Sequence, residues 1–400
     1  MNWPLISLNQ ICNTQYGYTA SADDFEVGPK YLRITDIASG PINWESVPYC
    51  KISESDYPKY KLNTGDIVIA RTGNTTGYAK LIRNNNNAVF ASYLVRIKIK
   101  SDLADSNYIG RLIESNIYKN FVRSIKGGAA QGNANATTLT LFKFCLPPIE
   151  VQRIITSVLS VYDDLIDTNR RRIQLLEESA RLLFREWFVY FRFPGHEKVK
   201  IVDGVPEGWE KEHLSTLVTT QYGYTETASQ EEIGPKFLRG TDINKTSYID
   251  WASVPYCPND KLDFRKYSLS QRDILIIRMA DPGKVGIVEE EIEAIFASYL
   301  IRLKIINKSV SSYFLFYSLL DEKYQGFITG SSTGSTRKSA SAKLIVDYNL
   351  LIPKKEIIDS FDEQIVPIRK DITILLQQNQ KLAQARDLLL PRLMNGTIEV

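Results

Sequence analysis

Gln15, Tyr16, Tyr18 and Thr19 lie together in TQYGYT (14–19), and the same types return as Gln221, Tyr222, Tyr224 and Thr225 in TQYGYT (220–225). Other polar and aromatic residues recur in step: Arg33 and Asp36 with Arg239 and Asp242, Trp44 with Trp251, Arg71 with Arg278, and Ser92-Tyr93 with Ser298-Tyr299. Glutamine and arginine can bond in bidentate fashion to the edges of adenine and guanine, and tyrosine hydroxyls commonly bind phosphate. This is chemistry for holding and reading a nucleic acid. The structural alternative stays open for each residue: Arg33–Asp36 and Arg239–Asp242 as internal ion pairs, and the tyrosines as half-buried core.

A further pair of candidates is IKGGAAQGNANATT (125–138) and ITGSSTGSTRKSASAK (328–343), each just ahead of a segment that ends in proline. Small residues let a backbone approach a phosphate or a groove closely. Lys126, Gln131 and Asn133 are the candidate contacts in the first, Arg337 and Lys338 in the second; Gln131 aligns with Arg337. Asn74 and Lys284 complete the expected set of contacts. A flexible surface loop with no ligand is the other reading of these segments.

Bond-breaking chemistry finds no support. Neither GxGxxG nor GxxxxGK[ST] follows a predicted strand, and no [DN]PP[YF] tetrapeptide is present. His196 and His213 lack a Ser or Cys nucleophile in a recognisable motif. Four cysteines without a CxxC pair, and only two histidines, argue against a zinc site. Asp163, Asp164 and Asp167 are read as a solvated helix face rather than a carboxylate pair.

The elements that must position these residues are set by a duplication. Residues 14–37 and 220–243 are identical at 16 of 24 positions, and FASYLVRIKI (90–99) matches FASYLIRLKI (296–305) at eight of ten. The offset is 206, with a one-residue slip across VPYC (47–50) and VPYC (254–257). Each copy reads as a strand-rich α/β domain, over 1–149 and 209–353. DIVIART and DILIIRM are buried strands, and 106–125 is one helix by its apolar spacing.

Two long helices are predicted over 150–190 and 354–395, each behind proline, with a connector at 191–208. Ile155, Leu159, Tyr162, Ile166, Asn169, Ile173 and Leu176 keep a 4-3 spacing along the first, and Phe361, Ile365, Ile368, Ile372, Leu375, Asn379 and Leu382 along the second. That spacing is a coiled-coil seam, and an asparagine in each seam pins register at some cost in stability. The expected architecture is α+β: two repeated strand-rich α/β domains separated by two helices in an antiparallel coiled coil, with pseudo-twofold symmetry. A helix of about 39 residues spans about 58 Å, long enough to act as a spacer.

The formal charge of +3 divides unevenly: residues 1–149 carry 16 basic and 11 acidic residues, residues 209–350 carry 17 and 18. A second copy with no net positive field must bind a polyanion through local clusters. The start has no secretory pattern and no run reaches 18 apolar residues, so a cytoplasmic protein is expected.

At the helices the residues match a known family. LPPIEVQRIITSVLSVYDDLIDTNRRRIQLLEESARLLFREWF (146–188), FRFPGHEKVKIVDGVPEGW (191–209) and RDLLLPRLMNGTIEV (386–400) resemble the conserved helices and ending of Type I restriction–modification specificity subunits. The resemblance implies a non-catalytic subunit whose two domains each read half of an interrupted double-stranded DNA site. Two methylation subunits that use S-adenosylmethionine to methylate adenine would dock on the helices, with ATP- and Mg-dependent restriction subunits completing the complex. Arg170–Arg172 and Glu177-Glu178 are the docking candidates. The similarity of the two domains predicts related half-sites and a near-palindromic target. The alternatives are the specificity subunit of a related non-Type I methylating nuclease, and a coiled-coil scaffold that binds protein.

Overall fold

The computed structural model describes residues 3–38, 40–84, 86–126, 134–258, 264–332 and 338–398. The chain divides into two compact units, one ending at Asp164 and completed by Leu382 onward, the other Leu165–Lys381.

In the first unit a four-stranded antiparallel sheet runs in the order Cys12–Tyr16, Leu94–Ile99, Ile67–Ala70, Ala79–Leu81. Ile67–Ala70 is flanked on both sides, so all four of its side chains are buried, as its unbroken apolar run requires. Lys30–Leu32 and Ala88–Phe90 form a separate parallel pair. Leu5–Ser7 pairs with Lys143–Cys145, joining the beginning of the domain to its end.

The glycine inside the repeated QYGY has a specific cause. A Cβ on Gly17 would lie 2.1 Å from the Ala91 carbonyl oxygen, and one on Gly223 would lie 2.2 Å from that of Ala297. Only glycine lets the edge strand pass onward to the bridges Tyr18–Ala91 and Tyr224–Ala297.

The single helix expected over 106–125 is two, Ser106–Glu114 and Asn116–Lys126. Ser115 takes an extended conformation (ψ 164°) and ends the first, whose start is capped by Asp105 accepting from the Tyr108 N–H at 2.9 Å. The change of direction leaves Ile117 exposed.

The second unit repeats this topology: Val218–Tyr222, Leu300–Ile305, Ile274–Ile277, Val285–Ile287 in one sheet, a parallel pair Lys236–Leu238 with Ala294–Phe296, and Glu210–His213 closing on Asn349–Ile352. Its helix Ser312–Leu320 is buried on nearly all sides, and its rings pack with Phe184, Phe188 and Phe361.

The long helices are Ile149–Phe184 and Lys355–Met394, the first running on into a wider π-helical turn at Arg185–Val189. In the first unit Ile155 and Leu159 share a core with Leu393 and Met394. In the second, Ile173 clusters with Ile372 and Leu375, and the Asn169 Nδ2 donates to the Asn379 Oδ1 at 3.0 Å. Phe184 meets Phe361 further along, so within this unit the helices run antiparallel. The stretch read as a connector, 191–208, is packed structure. Phe193 is buried against Trp209, and Ile201–Val202 pairs with Val205–Pro206 around a turn with positive φ at Asp203 and Gly204.

Candidate nucleic-acid interface

In each domain one tyrosine and one arginine stand together at the edge of the sheet. Tyr16, the last residue of its strand, is 44% exposed, and the Arg71 guanidinium lies over its ring at 4.9 Å from the centroid. The Tyr16 hydroxyl accepts the Ala136 N–H at 3.1 Å, at the start of the short helix Ala136–Leu139. The Arg71 carbonyl accepts the Ala134 N–H at 2.9 Å, its own N–H donates to the Tyr93 carbonyl at 3.1 Å, and its Nε donates to the Ser92 carbonyl at 3.1 Å. The two residues therefore hold the chain that emerges from 127–133. Tyr93, exposed beside them, extends the aromatic surface.

The second copy rebuilds this. Arg278 lies 5.1 Å from the Tyr222 ring centroid, and the Tyr222 hydroxyl accepts the Ala342 N–H at 3.0 Å. The Arg278 carbonyl accepts the Ala340 N–H at 2.8 Å, and its N–H donates to the Tyr299 carbonyl at 2.9 Å. One difference is informative: the buried Arg278 Nε has no hydrogen-bond partner among the described residues. A buried guanidinium N–H left without an acceptor is costly. Thr19, Thr225, Asn74, Lys284 and Lys338 are exposed in their domains. Cation, hydroxyl and exposed aromatic faces in one place suit a polyanion with stacked bases.

Other residues expected here are used internally. The Gln15 and Gln221 amides donate to the carbonyls of Lys59 (3.0 Å) and Lys266 (2.7 Å). Their oxygens accept from Arg96 and Arg302. Those arginines, which sequence reasoning missed, each pair with a buried aspartate, Arg96 with Asp66 at 3.3 Å and Arg302 with Asp273 at 3.1 Å. The signal that could have found them was the repetition of Asp66 and Arg96 as Asp273 and Arg302.

Arg33 and Asp36 form a two-pronged ion pair (3.1 Å on each prong) and Arg239 and Asp242 form another (3.1 and 2.8 Å), while the carboxylates also cap their own turns. The internal reading holds for both pairs. Tyr18 packs at a tilt against Tyr60 and Tyr224 against Tyr267; Trp251 is buried in its core and Trp44 packs half-buried. Gln131, Asn133, Arg337 and the Lys126 side chain lie outside the described residues.

Two expectations on the first long helix need correction. Asp163 is no solvated-face residue: it is buried, and accepts from Arg111, from Arg386 at 2.6 Å and from Arg83 at 3.3 Å. Burial alone would raise its carboxyl, but Arg111, Arg386 and Arg83 more than offset this and hold it below the usual range. Glu177, a docking candidate, accepts from the Ser247 N–H at 3.1 Å and from its hydroxyl. Both were misread because a charge beside a seam position is normally solvated.

The chain is thus a duplicated domain, each copy carrying one tyrosine–arginine face, joined to long seam helices. Residues 1–178 match the family model described as the Type I restriction modification DNA specificity domain. Along its length the chain is similar to specificity subunits of Type I restriction enzymes. It is 24% identical to the putative Type I restriction enzyme MjaX specificity subunit of Methanocaldococcus jannaschii, across 100% of this chain and 94% of that protein. It is 23% identical to the HindI specificity subunit of Haemophilus influenzae across 92% and 95%. The S subunit of the Type I system of M. genitalium shares its fold at 13% identity, with a TM-score of 0.53 over 98% of this chain and 96% of that one.

Proposed function

We propose that the chain is the non-catalytic DNA-reading subunit of its complex, with each domain recognising one half of an interrupted site. The observation that carries this is the recurrence of the Tyr16–Arg71 arrangement as Tyr222–Arg278, each beside the end of a stretch whose sequence differs between copies. Shared anchors position the duplex backbone, and the differing stretches read bases. Half-sites that share some bases, in a near-palindromic target, follow from the closeness of the copies.

On this reading the helices set the separation of the half-sites and receive the methylation subunits. At 36 and 40 residues they span roughly 54 and 60 Å. Ile154, Val158 and Val161 are exposed on the first at 4-3 spacing, about 100° around the helix from its buried seam, which suits a partner's apolar surface. Arg171, Arg172 and Glu178 are exposed further along it. S-adenosylmethionine, ATP and Mg would be bound by the methylation and restriction subunits, and the complex would act on DNA in the cytoplasm. No helix of the described residues is long and apolar enough to cross a membrane.

The test is single-molecule mapping of methyladenine in cells expressing this chain with its methylation subunit. Two short blocks at a fixed gap, one modified adenine per strand, are expected. A continuous motif would overturn the bipartite reading, and two unrelated blocks would overturn the near-palindromic one.

A further inference from the structure

The two domains meet their own stretches of long helix through buried ion clusters of opposite sign. Positions 83 and 289 correspond: the residues just before them, Ile82 and Val288, donate from their N–H groups to the carbonyls of Asp66 (2.8 Å) and Asp273 (2.9 Å). Positions 163 and 369 correspond on the helices at the same 206-residue offset. In the first unit the helix supplies the acid, Asp163, and the domain supplies Arg83 and Arg111. In the second unit the helix supplies the base, Arg369, and the domain supplies Glu289, joined at 2.6 Å. Glu289 also accepts from Arg272 at 3.0 Å and from the Tyr313 hydroxyl at 2.8 Å, and Arg369 donates twice to Ser247 at 3.2 Å. Arg369 is wholly buried and Asp163 nearly so.

The copies share topology, strand register and much sequence, so the two dockings are built on one plan. Charge separates the two dockings. The first domain on the second helix would bury Arg111 against Arg369, with the partly exposed Arg83 beside it; the second domain on the first helix would bury Glu289 against Asp163. Unpaired like charges out of water are strongly unfavourable, whereas the correct pairs satisfy one another.

We propose that this charge reversal keys each recognition domain to its own helix, so that a duplicated chain folds with one pairing of domains and helices. The proposal does not rest on which DNA is read.

The decisive experiment uses the full-length chain with residues 3–147 replaced by a second copy of 209–353. One version keeps Asp163 and Arg386. The other carries D163R and R386A, which supplies the helix environment of the second copy, where the position matching 386 is Ala180. The D163R/R386A version is expected to melt on the order of 10 °C above the other. Equal or reversed melting temperatures would overturn the proposal. Should neither chimera fold, the native chain gives the same answer through E289Q, R369M and E289Q/R369M. Each single change is expected to lower the melting temperature by on the order of 10 °C, and the double by clearly less than their sum. Additive losses would overturn the keying.

Discussion

The two domains share a sheet and a tyrosine–arginine clamp, yet their helical layers are filled differently. At position 110 the first domain has glycine, whose added Cβ would sit 3.0 Å from Leu81; at the matching position 316 the second has a phenylalanine with no exposure. The first layer is an amphipathic helix close against its sheet, the second an almost entirely apolar one with many rings. The residues of the tyrosine–arginine clamp are the same in both copies while the packing beneath has diverged. The clamp is what the two copies keep in common, and the helical layer is free to vary so long as volume is filled.

The largest effect that would sharpen this contrast is in the core. Phe316→Ala should cost about 3–5 kcal/mol in urea denaturation. Gly110→Phe should prevent folding of the first domain, because the ring has no space against Leu81. A Gly110→Phe chain as stable as the parent would show the layers to be interchangeable.

Next in size is recognition. Arg71→Ala and Arg278→Ala should each weaken DNA binding by the assembled complex by about 1–3 kcal/mol, measured by titration at fixed salt. Arg278 should matter more, since its Nε has no acceptor among the described residues whereas that of Arg71 bonds to Ser92. Equal losses would remove that distinction. Tyr16→Phe and Tyr222→Phe delete the acceptor for the Ala136 and Ala342 N–H groups. Each should lower stability by about 0.5–1.5 kcal/mol, and by similar amounts, if the clamps are equivalent.

The smallest effect separates the units by pH. Burial raises the Asp362 carboxyl in the second unit, opposed by its bond from Ser311. Its folded pKa lies above the unfolded one, so its charged form costs stability at neutral pH, and that cost is relieved as pH falls through the folded value. Asp163 in the first unit has the opposite sign. Its contribution is full above the unfolded value, about 3.9, and is lost as pH falls through its lower folded value. Hydrogen exchange on acidification should therefore first show better protection of Ser312–Leu320, then loss of protection in Ser106–Glu114. Asp362→Asn should abolish the first change alone.

Much of the architecture was legible in the residues. The duplication, the seam from Ile155 and Phe361 onward and the buried strands at 67–70 and 274–277 are local or periodic signals, and period is what exposes a core-facing stripe. The extended Ser115, which splits one expected helix, was not legible because serine serves equally well inside a helix and as its cap. The candidate site divides the same way. Repetition singled out Tyr16, Arg71, Tyr222 and Arg278, but it also singled out Gln15, Trp251 and the Arg33–Asp36 pair, since shared structure preserves residues as faithfully as shared ligands do.

By itself the sequence determined that there are two copies of one domain, two seam helices and a common set of polar and aromatic residues. Only the tertiary structure decided which of those residues face outward and which are consumed inside. Asp163 and Arg369 make the case most plainly. Each is one charged residue beside a seam position, and nothing in the neighbouring sequence tells it from a solvated one. Burial arises when a domain some 80 residues away, carrying Arg83 or Glu289, closes over it. A charge's environment is set by everything packed around it, whereas a helix's apolar period is written along a single segment.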